Sequence, residues 1–70
     1  MRTATILKAI GEPKLTLHDG GGYWYFVYDD VERNIHETLS VPVFRLNHMA
    51  LASWVEEGKQ LIQNVNDLYN

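Results

Sequence analysis

Three histidines, His18, His36 and His48, together with Asp19, Asp29, Asp30 and Glu32, are the residues of this chain that could ligate a metal. Their spacing argues against it, because no two histidines stand three or four residues apart, the separation that brings two imidazoles onto one zinc ion from a helix face. Asp30-Val31-Glu32-Arg33-Asn34 places oxygen donors at the first, third and fifth positions of a calcium-binding loop. Ile35 then stands where that loop needs glycine and Val41 where it needs a bidentate glutamate, so the match fails. Gly20-Gly21-Gly22 is followed by neither a lysine nor a helix, which makes it hairpin chemistry and not a phosphate cradle. With no cysteine there is no thiol nucleophile, disulfide or thiolate metal site. No serine, histidine and acid are spaced to suggest a triad, and so small a core leaves little room for a catalytic pocket. The expectation is a non-catalytic protein with no cofactor and no metal.

Seventy residues make one domain, residues 1–70, whose stability must come from packing alone. A net charge of −3 gives no overall attraction to phosphate backbones or anionic lipid, which counts against nucleic acid. No apolar run approaches the roughly 20 residues that span a bilayer, and the N-terminus lacks the apolar segment of a signal peptide, so a cytoplasmic protein is expected.

The elements that would position any site are readable from periodicity. Ile6, Leu7 and Ile10 stand at helical spacing, with Thr3 or Thr5 available as N-cap and Gly11 and Pro13 as stop signals, which predicts a helix over Thr3 to Ile10. Lys14 to His18 alternates, sending Leu15 and Leu17 to one face. Asp19 and the three glycines supply the turn, and the aromatic run Tyr23 to Tyr28 is the central strand. In it Trp24, Phe26 and Tyr28 share one face, assigned to the core, and Tyr23, Tyr25 and Val27 share the other. Asp29 to His36 reads as a loop or the extended end of a hairpin. A third strand is expected over Glu37 to Leu46 with Leu39, Val41 and Val43 facing in, and Pro42 makes it an edge strand whose odd residues bond inward.

From Leu51 onward Trp54, Val55, Leu61, Ile62, Val65 and Leu68 continue an apolar stripe opposite a charged and amide face, which predicts an amphipathic helix capped by Asn47 or Ser53. Gly58 falls on the stripe, where it costs about 1 kcal/mol against alanine, so a close crossing is expected there. The architecture is α+β: helix, three-stranded antiparallel meander, helix, with both helices on one sheet face.

Gly22 to Tyr28 is similar to the aromatic strand of the RNA-recognition motif, which would put Tyr23 and Tyr25 at base-stacking positions. Gly21 replaces the phosphate-binding cation and Trp24 a small residue, and the element order differs. The order found is instead similar to that of the double-stranded RNA-binding domain, but Ala50-Leu51-Ala52-Ser53 carries no lysine cluster. Ser40-Val41-Pro42-Val43-Phe44-Arg45-Leu46-Asn47-His48-Met49, with Leu51 and Trp54 to Gly58, resembles short uncharacterised proteins encoded in phages and prophages. That resemblance implies a small accessory protein that binds a host or phage macromolecule, and brings no site residues with it.

With both helices on the inner face, Tyr23, Tyr25 and Val27, flanked by His18 and Phe44, are expected to form an uncovered aromatic patch. The leading reading is a protein-binding surface on this face or on the edge strand. The alternatives are a nucleic-acid binder stacking bases on Tyr23 and Tyr25, and a structural homodimer.

Overall fold

The computed structural model describes residues 1–70 as α1 (Thr3–Ile10), β1 (Leu15–Asp19), β2 (Trp24–Asp30), β3 (Ile35–Val41), a single 3-10 turn (Leu46–His48) and α2 (Leu51–Tyr69). The strands form one antiparallel sheet in the order β1-β2-β3. The layout is the expected helix, meander, helix.

α1 ends as its sequence foretells, with Gly11 at φ 78° donating its N–H to the Leu7 carbonyl at 2.9 Å. Its start differs: Arg2 occupies the N-cap position and neither Thr3 nor Thr5 caps. Burial of Ile6 and partial burial of Leu7 and Ile10 hold the helix instead. At the hairpin the Asp19 carboxylate accepts the Gly21 N–H at 2.8 Å, while Gly21 and Gly22 take φ of 81° and 131°, which only glycine adopts cheaply.

Leu15 and Leu17 on β1, Phe26 and Tyr28 on β2, and Ile35 and Val41 on β3 meet Ile6 of α1 and Trp54, Leu61 and Val65 of α2 in one core. Both helices therefore cover the same sheet face, and the inner set of the aromatic strand is the one containing Phe26. Trp24 is only half-buried, because it lies at the open end of the sheet.

β3 corrects the expected bounds of Glu37 to Leu46. A turn over residues 31–34, with Asn34 at φ 53° and its N–H on the Val31 carbonyl, lets β2 run through Asp30 and pairs Ile35 with it. At the other end Val43 donates to the Val41 carbonyl at 2.9 Å, bending the chain out of the sheet, so Pro42 follows the strand. Val43 still packs against the core from outside the strand. The hydrogen-bond parity is fixed by the Asp29 N–H, which reaches the Lys14 carbonyl at 3.0 Å. Odd residues of β2 thus bond towards β1 and even residues towards β3, where their register partners are the odd residues Ile35, Glu37, Leu39 and Val41. The backbone groups of His36, Thr38 and Ser40 point away from the sheet.

α2 is capped by neither Asn47 nor Ser53. Ala50 is its N-cap residue, without a side-chain hydrogen bond. Trp54, Gly58, Leu61 and Val65 are its buried residues, whereas Leu51 and Leu68, expected on the stripe, are exposed. Nineteen residues make a helix of about 28 Å, whose last residue Tyr69 still reaches Glu37 of β3 through its hydroxyl at 2.8 Å. Trp54 is fully buried, edge-on to Phe26 at 6.3 Å between centroids, and its indole N–H donates to the Leu46 carbonyl at 2.8 Å. Gly58 is the expected close crossing: a Cβ there would run into Cδ1 of Ile10 and sit 3.3 Å from both Leu15 and Phe26.

Candidate functional site

Alternation along three paired strands builds the outer face row by row. His18, Tyr25 and Ser40 lie across one row, Thr16, Val27 and Thr38 across the next, and Asp29 beside His36 closes the far end. Neither helix lies on this side, so these side chains stand on a bare sheet.

The aromatic residues of the face touch one another. The His18 and Tyr25 rings stack at 5.3 Å and 28°, and Tyr23 tilts against Tyr25 at 6.0 Å. Tyr23 precedes β2, and its ring lies directly over Gly20, where any Cβ would collide with it. The Thr16 hydroxyl and Nε2 of His18 hydrogen-bond at 2.9 Å, which steadies the imidazole beneath Tyr25. Tyr23 remains 42% exposed, while Tyr25 and Val27 are half-buried by their neighbours in the sheet. The structure thus brings together four of the five sequence-derived residues: His18, Tyr23, Tyr25 and Val27.

Phe44 is not on this face. The chain has left the sheet after Val41, and Phe44, 64% exposed, lies with Met1, Asp19, Trp24 and Arg45 at the end of the sheet, where its carbonyl accepts the Trp24 indole N–H at 3.2 Å.

The chemistry of the face is that of contact area with adaptable hydrogen bonding. Tyrosine, threonine, serine and histidine dominate its rows, and no lysine or arginine stands in them. Lys14, which immediately precedes β1, is tied instead to Asp30, its Nζ lying 3.0 Å from Oδ2. His36 Nδ1 lies 3.7 Å from Asp29, and no three histidine or acidic side chains converge as they would around a metal ion.

Two features escaped the sequence reading. Asp30, in the stretch expected as a loop or the extended end of a hairpin, ends β2 as a buried carboxylate that also binds Arg33 Nε at 2.8 Å. A groove lined by Glu37, Thr38, Leu61, Asn64, Asp67 and Leu68 runs between β3 and the C-terminal half of α2. Pro42 held the signal for the open edge above this groove, since its parity already assigns which residues face outward. No helix is long and apolar enough to cross a membrane. Comparison with protein-family models, curated proteins and solved structures finds no match to this chain, so the site rests on its own geometry.

Proposed function

We propose that the chain is a small, non-catalytic accessory protein that takes a protein partner on the uncovered face of its sheet. The observation that carries this reading is the mutually packed His18–Tyr25–Tyr23 cluster on a face without a covering layer. Tyrosine gives large contact area at low entropic cost and is enriched where binding energy concentrates. Rings already packed on one another, with His18 hydrogen-bonded to Thr16, have less freedom to lose on binding, which favours association. The same rings could stack bases, but neutralisation of phosphates supplies most nucleic-acid affinity, and this face has no charge of that sign to offer. The resemblance to phage and prophage proteins, and a cytoplasmic setting, fit an accessory binder of this kind.

Tyr23→Ser with Tyr25→Ser tests the reading, because both side chains lie outside the core. Circular dichroism should report an unchanged fold, and a protein that co-purifies with the wild-type chain should no longer be retained. Salt-dependent binding of a single-stranded oligonucleotide by the wild type, lost in the variant, would replace the reading with nucleic-acid recognition. A dimer in solution abolished by the same changes would replace it with self-association.

A further inference from the structure

β3 is an edge strand whose outward backbone groups have no partner. The N–H and C=O groups of His36, Thr38 and Ser40 point away from β2, and none takes part in a backbone hydrogen bond outside the sheet. Unpaired groups at every second residue are a template for an added strand. Ile35–Val41 contains no proline, glycine or lysine to blunt it, and Pro42 follows only after the last residue. The inward-facing Glu37 is the edge's one charged guard, and it selects the occupant.

Beneath the edge, the groove between β3 and α2 has a volume of about 360 Å³. A strand laid beside β3 would point alternate side chains into it. Its exposed apolar surface comes from Leu68, which is 69% exposed, above a floor formed by the buried Leu61. Its ionisable groups are both carboxylates: Glu37, oriented by the Tyr69 hydroxyl at 2.8 Å, and Asp67, oriented by the Gln63 amide at 2.9 Å. Neither donor neutralises the carboxylate that it positions.

We infer that the β3 edge and this groove form a second binding surface, whose occupant is an extended segment with basic and aliphatic side chains on its inward face. The backbone of β3 supplies the pairing, and Glu37, Asp67 and Leu68 supply the selection. A second copy of the chain is a poor fit by charge. Two β3 strands paired antiparallel about Thr38 would set Glu37 and Asp67 of both copies on the same side of a six-stranded sheet with no cation among the groove residues. This surface shares Thr38 and Ser40 with the outer face but not His18, Tyr23 or Tyr25, and either can fail without the other.

The probe is the acetylated and amidated peptide Thr-Lys-Thr-Leu-Thr-Lys-Thr, titrated into the full isotopically labelled chain and followed by NMR. Saturable binding should shift the amides of His36, Thr38 and Ser40 and slow their exchange, while leaving His18 and Tyr23 undisturbed. Glu37→Gln with Asp67→Asn should weaken it by about three- to tenfold, as expected for two solvent-facing charge pairs. Thr38→Pro, which removes an outward N–H, should abolish binding in a folded chain. Should that variant fail to fold, the charge variant decides. The inference is overturned by a lack of saturable binding, by equal binding of the peptide with glutamate in place of lysine, or by shifts confined to His18, Tyr23 and Tyr25. A peptide-free dimer protecting the same three amides would assign the edge to a second copy and overturn it too.

Discussion

Asp30 is the buried charge of this protein, and it closes the far end of the sheet. Its carboxylate accepts Arg33 Nε at 2.8 Å, Lys14 Nζ at 3.0 Å and the Arg33 backbone N–H at 3.3 Å, so the start of β1, the end of β2 and the turn meet on one side chain. The Arg33 guanidinium first, and the Lys14 ammonium second, hold the carboxyl well below the usual carboxylate range. A group that binds its proton more weakly when folded contributes stability that is complete above the unfolded pKa of about 3.9 and is lost as pH falls below it. Asp30→Asn should therefore lower the urea midpoint at neutral pH, and the gap to wild type should narrow at about pH 2. A gap independent of pH would show that the ion cluster contributes nothing. The sequence hid this role because a charged pair beside a turn reads as solvated. Arg33 stands only three residues away, but nothing in the pattern brings in Lys14. His18, Tyr25 and Val27 were legible for the opposite reason: alternation assigns a side to every residue of a strand once one side is known to be core.

At the level of elements, the strands, their order and both helices followed from periodicity, and the boundaries that failed did so for local reasons. β3 starts early because Asn34 supplies the positive φ of a turn that has no glycine or proline to announce it. It ends early because the β-branched Val43 belongs to the core without belonging to the strand. Gly58 shows how an apparent weakness carries information: helix propensity disfavours it, and its place on the buried stripe means that something passes close. Ile10 of α1, Leu15 of β1 and Phe26 of β2 all converge there, so the one residue sets how near α2 lies to both layers. Gly58→Leu should destabilise by about 1 to 3 kcal/mol through overpacking, despite leucine's better helix propensity. Chemical denaturation measures this directly, and a leucine variant more stable than wild type would show that the crossing has slack. Gly58→Ala is the informative companion, since it must displace only the mobile tip of Ile10 while pressing on Leu15 and Phe26.

For the whole molecule, a single sheet covered on one side leaves few residues to carry stability: 12 of 70 are buried. The proposed binding uses the uncovered side and the open β3 edge. The acidic groove could not be read from the sequence, because Glu37 and the Leu61 to Leu68 segment are brought together only by the docking of α2. Trp54 is where that docking concentrates. It meets Phe26 of the sheet edge-on, and its indole N–H ties down the Leu46 carbonyl of the segment that carries the chain from β3 into α2. Truncation to alanine should cost about 3 to 5 kcal/mol in cavity and lost burial, against a total of roughly 4 to 10 kcal/mol for a chain of this length. Trp54→Ala should therefore be largely unfolded at physiological temperature, with Trp24 left as the fluorescent reporter. Trp54→Phe keeps an aromatic ring but removes the shorter of the two hydrogen bonds to the Leu46 carbonyl, which the Met49 N–H still reaches at 3.4 Å, and should lose about 0.5 to 1.5 kcal/mol while remaining folded. Calorimetry or circular dichroism on the pair separates packing from hydrogen bonding. A Trp54→Ala melting temperature within about 2 °C of wild type would mean that α2 is not held to the sheet through this residue.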